Sequence, residues 1–270
     1  VMAVLALLVI IPFVSRLPSV SQYGVGLIAL MFVWGIFALS LDTVIGYTGL
    51  ISFGHAAFYG IGSYAVALFT VNFTNSFVIG LAVAILFAAA VAWLVGAISA
   101  RLSGLYFAVV TFAVGQMLYQ LALSWSSFTG GSNGFAIEHV MLFGVIDLSN
   151  TFAFYYISLL LLVSLYYLTK RIMDSPFGLQ LQAIRESERR ARFVGYDTNK
   201  AKRRIFAVSG AIGGVAGALV TVRQTFTSPD TLYWIVSGDA LFAVILGGVG
   251  TLFGPIIGGA VLIGLDQLLT

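Results

Sequence analysis

The sequence predicts an all-α fold: a polytopic membrane protein of about eight transmembrane helices, with broken, glycine-rich membrane segments and one cytoplasmic helix between spans. Three observations carry this. Hydrophobic residues make up 60% of the 270 and charged residues 9%, whereas soluble domains carry about 25% charged residues. The charge is also gathered in one place. Residues 170–204 hold ten of the 13 lysines and arginines with four acids, a net +6, while the whole chain carries only +3. The rest divides into charge-free runs of span size, for which about 20 apolar residues suffice.

A short basic loop between hydrophobic segments stays on the cytoplasmic side of a membrane, so 170–204 orients every other segment. The pI near 9.2 therefore does not point to nucleic acid. With no cysteine in the chain, disulfides, thiolate metal sites and cysteine nucleophiles are excluded. The opening Val1 to Val14 lacks a basic n-region and a small-residue cleavage site. It reads as part of a spanning helix, not a signal peptide.

Taken in order, residues 1–15 and 17–41 are charge-free on either side of Arg16, with Pro18 marking a turn. From Thr43 to Ala100 the only ionisable imidazole is His55; that run fits two spans divided near Asn72 to Ser76. Residues 102–137 hold one span to about Ser124 and then the polar stretch SWSSFTGGSNG. Another span covers 148–169. Beyond the basic loop come a span at 205–222, a polar segment at 223–237 and the charge-free run 240–265. With 170–204 inside, parity puts 124–148 and 223–237 outside and starts the 102–123 helix inside, in agreement with Arg101 at its head. The chain reads as a single membrane domain over 1–270.

Two segments depart from plain spans. GYTGLISFGHAAFYGIG (Gly46 to Gly62) and GGVGTLFGPIIGG (Gly247 to Gly259) are apolar but interrupted by glycine, the second also by Pro255. Both open on Gly-x-x-Gly and contain a Phe-Gly pair. Glycine is costly inside a helix, and non-helical backbone at membrane depth survives only where it is buried in protein or lines a cavity. Matching broken segments in two halves point to a transporter's central site. Close helix packing is the other reading, since Gly250, Gly254 and Gly258 are also spaced for it. For SGAIGGVAGAL, with Gly210, Gly213, Gly214 and Gly217, packing against a neighbouring helix is the expected role.

No constellation for catalysis or metal binding is present, and no phosphate-binding glycine loop with lysine. His55 reads either as a pathway residue or as an imidazole bonded to a backbone carbonyl at the break. Asp239 is expected to cap the outer end of a helix. Asp42 and Asp266 are expected at interfacial helix ends, and Arg223 is expected to snorkel.

The basic loop is better specified. Ser175 and Pro176 suit the N-cap and first position of a helix. Phe177, Leu181, Ile184, Ala191 and Val194 then form an apolar stripe at helical spacing, with Arg185, Arg189 and Arg192 on another face. Glu186/Arg190 and Glu188/Arg192 are i,i+4 pairs in the favourable order, and Gly195 is a helix stop. Such a helix lies either against anionic membrane lipid or in a cytoplasmic partner. The defined stop favours the partner.

The stretches AIRESERRARFVGYD, GAIGGVAGAL, GYTGLISFGHAAFYGIGSY, TGGSNG, SGDALFAVILGGVGTLFGP and SPFG, separated motifs that fall in the right order over nearly the whole chain, closely resemble the branched-chain amino acid permease family of ABC importers, LivM-type subunit. Related urea-type permeases share the look of Arg190-Ala191-Arg192-Phe193. The resemblance implies a permease subunit of the inner (plasma) membrane, not an enzyme. Its implied partners are a homologous second permease, two ATP-binding cassette subunits and an extracytoplasmic substrate-binding protein. ATP and Mg would sit on the cassette subunits and no cofactor on this chain. The helix carrying Arg185, Glu186, Glu188, Arg189, Arg190, Ala191, Arg192 and Gly195 would be the coupling helix that docks in the ATPase. Arg189 and Arg190 depart from the small residues usual there. Ser52, Phe53, Gly54 and His55, with Thr111 and Gln116, are the substrate-pathway candidates. A passive solute channel and a membrane enzyme are the rival classes; the docking helix argues against the first, and the shortage of intramembrane His, Asp and Glu against the second.

Overall fold

In the computed structural model the chain is described over residues 22–73, 75–138 and 140–269. The expected opening span, Arg16 and Pro18 lie outside the described residues. Ten helices follow in order: α1 (Gln22–Thr48), α2 (His55–Asn72), α3 (Phe77–Ser99), α4 (Gly104–Ser124), the single turn α5 (Ser126–Thr129), α6 (Thr151–Met173), α7 (Pro176–Phe193), α8 (Thr198–Gln224), α9 (Trp234–Gly247) and α10 (Phe253–Leu269). Among the described residues α1, α3, α4, α6 and α8 are long and apolar enough to cross a membrane. The shorter α2, α9 and α10 are the pieces attached to the two breaks.

Helix α8 is the organising element. Its glycines let three helices approach its backbone. A Cβ on Gly210 or Gly214 would run into Ala92 or Ala88 of α3, and one on Gly217 would meet the Tyr59 carbonyl of α2. Gly62 of α2 returns the close approach at Gly214. Without a hydrophobic drive between helices in lipid, such backbone proximity and interhelical hydrogen bonds hold a bundle together. Ser40 of α1 and Ser209 of α8 supply two such bonds, each hydroxyl donating to the other's carbonyl oxygen at 2.7 Å. Helices α1 and α8 are the most enclosed, whereas α3, α4 and α6 present most of their surface outward.

The run 240–265 is not one span. The chain breaks at 248–252, and α9 and α10 pack as an antiparallel hairpin in which Gly258 lies on the Ala243 carbonyl and Gly254 on Gly247. Gly259 lies in turn against Gly35 and Trp34 of α1. Helix α9 begins at Trp234, so Asp239 sits inside it and caps nothing; Tyr233 occupies the N-cap position. Likewise α8 begins at Thr198, seven residues before the expected 205, because the Asp197 carboxylate accepts the Lys200 N–H at 3.0 Å and caps it. The helical part of the basic stretch thus includes Lys200, Lys202, Arg203 and Arg204. At the end of the molecule opposite α7, strands β1 (Phe135–Ala136) and β4 (Phe226–Thr227) pair antiparallel, as do β2 (Met141–Leu142) and β3 (Ile146–Asp147).

Candidate functional site

The site is built where α7 meets the two breaks. Helix α7 starts after Ser175 with Pro176 at its first position. The Ser175 hydroxyl donates back to the Ile172 carbonyl at 2.6 Å and does not cap α7. Gly178 follows because a Cβ there would strike the Met173 carbonyl in the tight turn from α6. At the other end the Gly195 N–H donates to the Arg192 carbonyl and the Tyr196 N–H to the Ala191 carbonyl, with Gly195 at φ +98. This is a Schellman stop, which requires the left-handed residue that glycine supplies.

The helix is not continuous. Ser187 has φ −164 and ψ 103, so a kink divides α7 into two pieces. Two expectations fail for this reason. Glu186 and Arg190 straddle the kink and form no ion pair, whereas Glu188 and Arg192, both beyond it, pair at 2.6 Å. The stripe also ends early: Leu181, Ile184 and Ala191 are buried, but Val194 is 77% exposed beside Phe193 at 79%.

Each piece is wired to a different part of the bundle. In the first, Arg185 donates to the Gly46 carbonyl near the end of α1, and Leu181 and Ile184 share one apolar cluster with Leu50 and Leu252 from the two breaks. In the second, Glu188 receives the Lys202 ammonium of α8 at 2.8 Å and the Thr198 hydroxyl at 3.1 Å. Burial would raise the Glu188 carboxyl, but the Lys202 and Arg192 cations that bond it outweigh this and hold it below its ordinary value. Lys202 is only 1% exposed and donates also to the carbonyls of Ala100 and Leu102, each at 3.1 Å, where α3 turns into α4.

Asp42 is the main correction to the sequence reading. It is not at an exposed helix end but inside α1, at 0% exposure. The reason is a partner that the sequence does not reveal: its carboxylate accepts the N–H of Gly250 at 2.6 Å and of Leu252 at 3.2 Å, in the second break. The first break is held from the other side, since the Ala56 N–H at the start of α2 donates to the Ser237 hydroxyl of α9 at 2.7 Å. The helix that leads into each break therefore braces the other break. This satisfies the backbone groups that a helix interruption leaves without partners.

The pathway candidates cluster around the first break. Thr111 of α4 accepts the Phe53 N–H at 3.3 Å through its hydroxyl, and Gly54 packs on the Thr111 carbonyl. Ser52, Gly54, His55 and Thr111 are buried, while Phe53 and Gln116 are partly open. His55 bonds not to a backbone carbonyl but to Ser209, with Nε2 2.7 Å from its hydroxyl oxygen. Because that hydroxyl donates to Ser40, the ring proton belongs on Nε2. Phe58 and Phe206 enclose the ring edge-on. Among the described residues no group of three or more His, Cys, Asp or Glu is placed to hold a metal. Sequence reasoning missed Asp42, Lys202, Ser209 and Ser237. A lone carboxylate, Asp42, inside an otherwise apolar run was the one available signal.

An all-helical membrane domain with two braced interruptions and one polar helix tied to both has the construction of a transporter's membrane subunit. The comparisons agree: residues 24–270 match the family described as branched-chain amino acid transport system / permease component, and the chain belongs to that family. It is 33% identical to the high-affinity branched-chain amino acid transport system permease protein LivM of Escherichia coli (strain K12), over 97% of this chain and 66% of that protein. A probable LivM permease of Methanocaldococcus jannaschii is 25% identical over 87% of this chain and 79% of its own length. A shorter match, 32% identical over 34% of this chain and 30% of the relative, is to the ribose import permease protein RbsC of Haemophilus influenzae. The chain spans 66% of the length of the enterobacterial LivM proteins it matches. No solved structure matches it.

Proposed function

We propose that this chain is the membrane-spanning permease subunit of an ATP-driven ABC importer that moves branched-chain amino acids, or similar small polar solutes, from an external binding protein into the cytoplasm of the cell. The observation that supports it best is the wiring of α7. A helix that merely lay on lipid would have no use for Arg185 reaching the end of α1 ahead of the first break and Glu188 joining, through Lys202, to the α3–α4 turn. In this reading 170–204 faces the cytoplasm and α7 docks in an ATP-binding cassette subunit through the protruding Phe193, Val194 and the arginines around them. A second, homologous permease completes the path. Substrate passes the open edge at Phe53 and Gln116, with Ser52, Gly54, His55 and Thr111 shaping the wall behind. ATP and Mg reside on the cassette subunits, and this chain performs no chemistry.

The test is gentle affinity purification from the native membrane, beside a variant carrying Glu188→Lys and Gly195→Pro. The wild-type chain brings down an ATP-hydrolysing subunit and a second permease, and the folded variant loses the ATPase. A chain that emerges alone or only as a homo-oligomer contradicts the proposal.

A further inference from the structure

Four groups meet where the first piece of α7 touches the bundle. The Arg185 guanidinium donates to the Gly46 carbonyl of the segment leading into the first break. The Asp42 carboxylate accepts the amides of Gly250 and Leu252 in the second break. These are one cluster, not two. A Cβ built on Gly250 would lie 3.2 Å from both an Arg185 nitrogen and the Gly46 carbonyl oxygen, and one built on Gly46 would lie 2.7 Å from the Asp42 carboxylate and 2.6 Å from Gly250 Cα. The second break therefore touches, backbone to backbone, the last turn of α1 that leads into the first break, with an anion from α1 on one side and a cation from α7 on the other.

The chemistry suits a contact that must hold and also release. Interrupted helices leave carbonyls and amides that cannot stay bare in a membrane protein's interior. Here both sets are satisfied by charged groups, which make the stronger hydrogen bonds. The two charged groups make no ion pair among the described residues but hold the same backbone patch from two sides, so withdrawing Arg185 would leave the Gly46 carbonyl without that donor and the second break held by Asp42 alone, a state that favours opening to water. The kink at Ser187 supplies the mechanical freedom. Beyond it Glu188 is anchored through Lys202 to α8 and to the α3–α4 turn, while the piece before it carries Arg185. Helix α7 is thus anchored on one side of the kink at Lys202 and on the other at Gly46 through Arg185.

Resting on the importer reading, we propose that Asp42 and Arg185 are positioning residues of a clamp that holds the two breaks together at the cytoplasmic end, and that movement of α7 by its partner releases it. A permanent staple is the competing role. The chain has no native cysteine, so Leu252→Cys gives this chain a single thiol next to the clamp, buried in this conformation. Inside-out vesicles holding the purified assembly are treated with a membrane-impermeant maleimide, and the labelled band of this chain is read.

With native Arg185 labelling is slow, and it rises at least fivefold when ATP and binding protein are cycled. Without nucleotide, Arg185→Gln and Asp42→Asn each raise it at least fivefold, and Arg185→Lys gives a smaller rise. Equal labelling in native and Arg185→Gln chains overturns the clamp. Should Arg185→Gln fail to insert, Arg185→Lys and the nucleotide dependence in the native background decide the matter. Labelling that responds to Arg185 but never to nucleotide leaves a staple and overturns the moving role. Failure of the importer reading is recognised separately, by absence of ATP-driven release of solute enclosed with binding protein in the lumen of the same vesicles.

Discussion

Lys202 and Glu188, fourteen residues apart, join α8 to the second piece of α7 through an ion pair of 2.8 Å, and the same ammonium reaches the carbonyls of Ala100 and Leu102. One side chain thereby closes a loop, a helix and a turn around a single charge. Lys202→Met is expected to leave the carbonyls of Ala100 and Leu102 without this donor, each buried group costing about 1–3 kcal/mol when its partner goes, and to reduce the partners of Glu188 to Arg192 and Thr198. The melting midpoint in detergent should fall by several degrees, and adding Glu188→Gln should restore part of the loss. An unchanged midpoint would remove Lys202 from the framework.

The same pair sets a pH response. Glu188 has its folded-state pKa below the ordinary 4.5. A depressed carboxylate contributes stability that is fully present above the unfolded value and is lost as pH falls through the folded value. Between pH 7 and 5 the native chain should therefore exceed Glu188→Gln in thermal stability by a constant margin. As pH drops under about 4.5 the margin should shrink. Melting curves of both proteins across pH 7 to 3.5 check this.

Glycines should divide by what a Cβ would meet. Gly217→Ala presses on the Tyr59 carbonyl and Gly258→Ala on that of Ala243, and such overpacking costs about 1–3 kcal/mol. Gly24 and Gly238 have nothing within 4 Å, so Gly24→Ala and Gly238→Ala should be close to neutral. Detergent melts of the four variants give the comparison.

Gly195 isolates a conformational effect, because no atom lies within 4 Å of its missing Cβ but its φ is +98. Gly195→Ala should cost about 1–2 kcal/mol through backbone strain alone. Limited proteolysis between α7 and α8 should quicken, whereas Gly24→Ala leaves it unchanged.

Much of the architecture was legible because lipid imposes simple rules. Charge-free runs marked the spans, and the glycine clusters at 46–62 and 247–259 marked both breaks, since neither glycine nor Pro255 suits a continuous helix. Ser175, Pro176 and Gly195 bounded α7 through local backbone preferences. What stayed hidden depends on partners distant in sequence. Asp42 looks like an interfacial acid until Gly250, 208 residues later, is seen to donate to it. Lys202 looks like one more loop cation until Ala100 and Leu102 surround it. The kink at Ser187 broke a helical register that spacing alone had carried through to Val194. The grouping of Ser52, Gly54 and Thr111 could be guessed at, but the Ser209 partner of His55 could not, because nothing local distinguishes one buried serine from another.

In the proposed function, ATP hydrolysis by partner subunits drives solute through this chain by way of α7. The most direct measurement is uptake of radiolabelled leucine into proteoliposomes holding the purified assembly, with binding protein outside and ATP enclosed, for the native chain and Glu188→Lys. Uptake should require both ATP and binding protein and fall at least tenfold in Glu188→Lys. Leucine entry that proceeds equally without ATP, or is indifferent to Glu188→Lys in an intact assembly, would contradict it.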